Sequence, residues 1–234
     1  VKNFKPDFAI GFGNYISVPV LLAAHHAHVT TMIHEQNSYA GKANRLLSKY
    51  VDAIVGCYEE NLKQFPENKT RILGNPRASE AVLTKKDKSV LKEIGLNPNK
   101  KSVVIVMGSL GSESVNEKMI AMLNQLKNKS YQVLYVTGKA SFDGFIEKFK
   151  GNDCVHVVPY IDGLKIMRNV DFAIVRGGAT TAAEITALGL PSIIIPSPYV
   201  PNNHQVLNAK VLMDRGACFM IEEKDFNVEN VIGK

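Results

Sequence analysis

Cysteine is scarce in this chain, and long hydrophobic runs and blocks of like charge are missing. Three cysteines occur in 234 residues. Cys57, Cys154 and Cys218 are far apart and show no C-x-x-C spacing, which excludes a disulfide framework or zinc ribbon and points to a reducing compartment. The longest apolar run, around Leu190 to Pro198, is interrupted by three prolines and falls well short of the ~20 residues of a bilayer span. No basic, apolar and cleavage-site sequence marks a signal peptide. The chain opens on Val1 rather than methionine, so its natural start is expected upstream. Although the formal net charge is +6, the excess is spread along the chain and no Lys/Arg run reads as a nucleic-acid arm, so no nucleic-acid partner is expected. His25, His26 and His28 cluster without carboxylates at metal spacing. No metal or other cofactor is expected.

What is present is the composition of a folded chain. Hydrophobic residues make up 45% and charged residues 21%, with 17 glycines and 10 prolines dispersed, which excludes disordered and collagen-like classes. Short β-rich runs at Asp7–Gly11, Val29–Ile33, Asp52–Cys57 and Arg71–Leu73 alternate with helical patterns at Ile16–Ala27 and Lys42–Tyr50. The alternation restarts with strands at Ser102–Met107, Gln132–Val136, Cys154–Val157, Asp171–Val175 and Ser192–Ile195. Helices are expected between and after them, near Glu113–Lys127, Ser141–Lys150, Gly163–Arg168, Thr180–Leu188 and Asn203–Arg215. Strand then helix, repeated, predicts an α/β fold of parallel sheets covered on both faces. Gly74-Asn75-Pro76 cannot continue a strand or a helix and is read as a hinge, followed by a lysine-rich stretch with one surface helix at Asp87–Ile94. The domains are therefore 1–76 and 77–234. The first has too few strands for a whole nucleotide-type domain and is expected to be the rear half of one.

Two glycine turns carry the chemistry. Met107-Gly108-Ser109-Leu110-Gly111-Ser112 and Arg176-Gly177-Gly178-Ala179-Thr180-Thr181 each run from strand to helix, where free N–H groups and the helix dipole can hold a diphosphate. Glu184, one turn further on, can accept ribose hydroxyls. The same residues also fit a plain capping box, Thr181-x-x-Glu184, and spacing does not choose between the two. Asn202, Asn203, His204, Gln205 and Asn208 offer neutral donors and acceptors suited to a sugar, or simply a solvated loop. Tyr160-Ile161-Asp162-Gly163 could read a flat base through its backbone. Gly11-Phe12-Gly13-Asn14-Tyr15 and His34-Glu35-Gln36-Asn37 each follow a strand, at the sheet edge where such folds bind ligands.

In this order GFGNYISVP, IHEQNSYAGKANRLL, GNP, GSLGS, YIDGL, RGGATTAAEITALGLPSIIIP and NNHQVLNA resemble the MurG family, the N-acetylglucosaminyltransferases that act on undecaprenyl-linked muramyl-pentapeptide in bacterial peptidoglycan synthesis. The resemblance implies a GT-B fold of two Rossmann-like domains, the first incomplete here, and an inverting transfer of GlcNAc from UDP-GlcNAc to the C4 hydroxyl of the lipid-linked acceptor. It implies a peripheral enzyme at the cytoplasmic face of the bacterial plasma membrane, serving cell-wall growth, cell shape and division. Carried over by residue, Ile161 contacts uracil, Ser109 and Ala179, Thr180 and Thr181 hold the diphosphate, Glu184 the ribose, and Gln205 and Asn37 the GlcNAc. His34, Glu35, Arg77, Gly108, Gly178, His204 and Asn208 are further substrate-binding candidates. The family's arginine stands one place further after Gly-Asn-Pro than Arg77 does. Its opening glycine-rich turn, with the histidine that is the candidate base, and its closing helix are expected outside this chain, so no catalytic residue is assigned within it. Two other readings remain: a GT-B transferase of the glycosyl diacylglycerol synthase type, and a non-catalytic UDP-sugar-binding unit.

Overall fold

A computed structural model describes residues 3–107, 113–126 and 129–232. The chain divides into two compact units, Val1–Pro76 and Arg77–Lys234.

The first unit runs β1 (Phe8–Gly11), α1 (Ser17–His26), β2 (Thr30–Glu35), α2 (Lys42–Leu47), β3 (Ala53–Gly56) and β4 (Thr70–Ile72). Its strands are parallel in the order β1-β2-β3-β4, with Ile10 opposite Met32 and Ile33 opposite Ile54. Parallel neighbours need crossovers, which α1, α2 and the 3-10 turn Glu59–Lys63 supply. Pro19 is tolerated in α1 because it falls in the first turn, where its missing N–H has no intrahelical acceptor to lose. Leu21, Ile33, Leu47, Val51, Ile54 and Phe65 form the core, each such side chain contributing about 1.5–3 kcal/mol by leaving water. The start of β2 is tied to β3 by Thr31, whose N–H and hydroxyl donate to Asp52 Oδ2 at 2.8 and 2.9 Å. The Thr31 backbone bond, then its hydroxyl, hold the Asp52 carboxyl below its usual range.

The second unit continues with α3 (Pro76–Leu83), which begins at the boundary, then α4 (Ser89–Glu93), β5 (Lys101–Val106), α5 (Glu113–Leu123), β6 (Tyr131–Val136), α6 (Phe142–Ile146) and β7 (Val155–Val158). It closes with α7 (Gly163–Met167), β8 (Phe172–Val175), α8 (Ala179–Leu188), β9 (Ser192–Ile194), α9 (His204–Asp214), β10 (Phe219–Met220) and α10 (Val228–Ile232). The six strands are all parallel in the order β10-β9-β8-β5-β6-β7. Alternation divides their side chains between two cores. Ile105, Val133, Tyr135, Ile174 and Ile193 face one layer; Val104, Leu134, Val136, Val175 and Ile194 face the other. Burial on both faces is why these strands read as continuous apolar runs rather than as alternating ones.

The strands expected from the sequence are present, with ends moved by one or two residues. Two expectations need correction, and one strand was not foreseen. Pro76 does not end structure but opens α3, because a proline's fixed φ suits the first helical position, whose N–H is unsatisfied anyway. The helix expected over Ser141–Lys150 is only α6, flanked by 3-10 turns at Lys139–Ser141 and Glu147–Phe149. The two-residue β10 was not anticipated, since a pair of residues carries no periodicity.

Candidate functional site

In the six-stranded sheet the strand order reverses beside β5, with β6 on one side and β8 on the other. Loops leaving the carboxyl ends of β5 and β8 therefore diverge, opening the crevice in which α/β sheets take ligands. Val106 and Val175, the last residues of these strands, are register partners, so the two glycine turns begin side by side. Gly108 and Ser109 of the first turn lie outside the described residues.

The second turn is fully described. Gly178 is the extended N-cap of α8, and among the described residues no side chain caps the helix. Ala179, Thr180 and Thr181 thus form the first turn, whose N–H groups lack intrahelical acceptors and carry the positive end of the dipole. Thr181 and Glu184 are then not a capping box, because the helix starts before Thr181. Gly177 is required by a close approach: a Cβ there would stand 2.4 Å from the Gln205 carbonyl oxygen. Asn208 fastens the same junction by donating to Gly177 O at 3.2 Å. At its far end α8 stops at Gly189 in the left-handed region, with Leu190 N–H donating to Ile185 O at 2.9 Å. This double-back is a Schellman closure, and it sends the chain into β9.

Beside α8 lies a cavity of about 190 Å³ that brings Ile161, Thr181 and Glu184 together. Val106, Val136 and Met167 wall it, Tyr160 stands exposed at its rim, and Arg176 joins Glu184 at the polar end. The Ile161 side chain is itself buried in the core, so polar contact at this position falls to its backbone. Asp162 caps α7, accepting from Lys165 N–H at 3.4 Å, which fixes the Tyr160–Gly163 turn. The space is below the ~300–1,000 Å³ of a drug-sized pocket. It suits part of a ligand, a ring with its attached polar group, with the remainder directed elsewhere.

The polar end is built from ion pairs. Arg77 Nε donates to Glu184 Oε1 at 2.6 Å and Arg77 Nη1 to Glu80 Oε2 at 2.6 Å. Hydrogen bonding to Glu184 first, opposed by some desolvation, holds the Arg77 pKa above its usual value. Arg176 Nη1 lies 2.7 Å from Glu223 Oε2 and donates to Ile195 O at 3.1 Å. Lys118 Nζ donates to Glu223 O at 3.0 Å, so the segment after β10 is tied to both α5 and the end of β8. Sequence reasoning placed Arg176 in a motif but gave it no role, and its acidic partner sits in another element.

The polar segment before α9 proves largely self-engaged. Asn202 and Asn203 occupy left-handed backbone at φ 56° and 50°, a conformation asparagine tolerates better than most residues. The His204 ring is 2.9 Å from Pro201 O, and Gln205 Oε1 accepts from Ser197 N–H at 2.9 Å. Gln205 is thereby held at the mouth of the second glycine turn.

Residues 102–234 match the Glycosyltransferase family 28 C-terminal domain. The chain belongs to glycosyltransferase family 28. Residues 1–55 match the family 28 N-terminal domain. A Bacillus cytotoxicus UDP-N-acetylglucosamine--N-acetylmuramyl-(pentapeptide) pyrophosphoryl-undecaprenol N-acetylglucosamine transferase is 44% identical over 99% of this chain and 65% of its own length. The Bacillus licheniformis enzyme of the same name is 44% identical over 99% of this chain and 64% of its own. The chain thus spans just under two thirds of these family 28 relatives. The crystal structure of Acinetobacter baumannii MurG superposes with a TM-score of 0.78 at 27% identity, covering 98% of this chain and 64% of that one. A UDP-GlcNAc 2-epimerase from Methanocaldococcus jannaschii shares the fold, with a TM-score of 0.70 at 12% identity over 99% of this chain and 70% of that one. The fold is α/β of the GT-B type, with two Rossmann-like parallel sheets.

Within the family 28 N-terminal segment, the run His34 to Asn37 is bound up in its own loop. Glu35 is buried. Its Oε1 accepts from Asn37 N–H at 3.0 Å and Asn37 Nδ2 at 3.3 Å, and its Oε2 from Gly41 N–H and Asn44 Nδ2, both at 2.9 Å. His34 Nε2 lies 3.1 Å from Gly74 O and His34 Nδ1 is 3.0 Å from Gln36 Nε2. The buried Glu35 carboxylate organises the turn leading into α2, and His34 lies against the segment before the unit boundary.

Proposed function

We propose that this chain carries the donor-binding part, residues 77–234, and acceptor-side elements, residues 1–76, of an inverting N-acetylglucosaminyltransferase that moves GlcNAc from UDP-GlcNAc to lipid-linked muramyl-pentapeptide. The observation that carries the reading is the cavity joining the Tyr160–Ile161 backbone, Thr181 and Glu184 beside an uncapped helix N-terminus. Uracil would lie against Tyr160 and Ile161, its ribose hydroxyls on Glu184, and the diphosphate at Ala179–Thr181, with Gly108 and Ser109 as further candidates from the sequence. Gln205 would reach the GlcNAc. The names borne by its 44%-identical relatives support the choice of sugar and acceptor.

The chemistry follows from that placement. The muramyl C4 hydroxyl gives up its proton to a general base and attacks C1 of GlcNAc as the C1–oxygen bond to the diphosphate breaks, inverting the configuration and releasing UDP. Charge builds on the departing UDP. Preorganised N–H groups and the dipole of α8 stabilise that charge as it develops, the kind of interaction that lowers a barrier most. An undecaprenyl acceptor places the reaction at the cytoplasmic face of the membrane. In support, Phe12, Tyr15, Ile16 and Val20 are exposed around the start of α1, and the chain is cationic. No helix among the described residues is long and apolar enough to cross a membrane.

Titration calorimetry of the 234-residue chain with UDP-GlcNAc and with UDP-glucose tests the reading. UDP-GlcNAc is expected to bind the more tightly. Equal affinities would remove the acetamido group from the account, and a folded chain that binds neither would overturn the donor site.

A further inference from the structure

Glu184 presents a problem of charge. Its side chain is 7% exposed, and a carboxylate so placed is costly unless a cation and hydrogen bonds compensate it. Among the described residues the compensation comes from Arg77 alone, through Nε on Oε1 at 2.6 Å. Arg77 is in turn gripped on its other side by Glu80, one turn along α3, at 2.6 Å. A planar guanidinium held between two carboxylates fixes the direction of each bond as well as the charge. Arg77 reaches Glu184 because Pro76 starts α3 directly before it.

We propose that Arg77 is a positioning residue for the donor ribose: by holding Glu184 Oε1 it aims the remaining carboxylate oxygen at the hydroxyls of the sugar in the cavity. This rests on the donor-site reading above. The alternative direct role, Arg77 on the diphosphate, fits the geometry less well, because two carboxylates already take up its guanidinium. Arg77 therefore acts through Glu184 on the ribose, and its loss should be felt only by ligands whose ribose Glu184 can grip.

The test compares UDP with 2′-deoxyuridine diphosphate, measured by calorimetry on the whole chain. The wild-type chain is expected to favour UDP by ~10-fold or more, the value of one hydrogen bond to a charged group. In Arg77→Ala that preference should fall to about twofold or less, with affinity for the deoxy ligand changed by less than about threefold. Arg77→Lys keeps the charge but loses the fork, so it should show an intermediate preference, and it supplies the readout if Arg77→Ala does not fold. A preference for UDP undiminished in both variants overturns the proposal. So does an equal loss for both ligands, which is the signature of a diphosphate contact or of general damage. A wild-type chain that binds UDP without preferring it to the deoxy ligand overturns the ribose role of Glu184 and this proposal while leaving the site, whereas absence of UDP binding overturns both readings.

Discussion

Glu184→Ala is expected to weaken UDP binding by about 10- to 150-fold, the equivalent of the ~1.5–3 kcal/mol of a hydrogen bond to a charged group. Its melting temperature should move little. The side chain borders an existing cavity, so truncation enlarges a space rather than creating one. Arg77 remains 35% exposed and keeps Glu80 at 2.6 Å, so its charge is not stranded. Glu184→Gln keeps the shape but not the charge and should fall between wild type and alanine. Calorimetry with UDP, paired with a thermal melt of each variant, checks the result. Unchanged UDP affinity in a folded Glu184→Ala chain would separate the cavity from the donor.

Arg176→Met is expected to act mainly on stability. It takes the guanidinium 2.7 Å away from a Glu223 side chain that is 9% exposed. Removing one member of a buried pair costs about 3–5 kcal/mol, because the other charge stays in a poor solvent. For a chain of this size that lowers the melting temperature by roughly 6–20 °C. Replacing both partners, Arg176→Met with Glu223→Leu, should recover most of the loss, since an apolar pair leaves no charge to desolvate. The measurement is thermal or urea denaturation of the two variants beside wild type. A single variant as stable as the parent would mean that the pair does not hold the segment after β10.

How far the sequence could be read depended on whether a signal was local. The central parallel strands were legible because both their faces are buried, so Lys101–Val106 and Phe172–Val175 stand out as β-branched runs against polar surroundings. The second glycine turn was legible because a strand followed by Gly-Gly and a helical pattern has few structural uses. The start of α8 was legible to within one residue, but its cap was not. Thr181-x-x-Glu184 fits a capping box by spacing, and only the backbone at Gly178 shows that the helix has already begun. Helix α3 was missed because Pro76 reads equally as a stop and as a first residue. The bonds that hold Glu35, from the Gly41 N–H and Asn44, were not legible because those partners lie further along the chain. Arg77 and Arg176 illustrate the limit most plainly. Each is an ordinary arginine until folding brings Glu184 or Glu223 beside it, and nothing in residue order announces such a pair.

The same contrast bears on function. The fold and the place of the cavity follow from strand order, since the reversal beside β5 opens a crevice whatever the ligand is. The ligand's identity follows from a few side chains lining that crevice, and it is there that the account is most exposed to test. The most direct test is a crystal structure of this chain soaked with UDP. The account predicts uracil against the Tyr160–Ile161 backbone, the ribose hydroxyls within hydrogen-bonding distance of Glu184, and the phosphates at the start of α8. UDP bound at a different place, with the cavity beside Glu184 unoccupied, would contradict it.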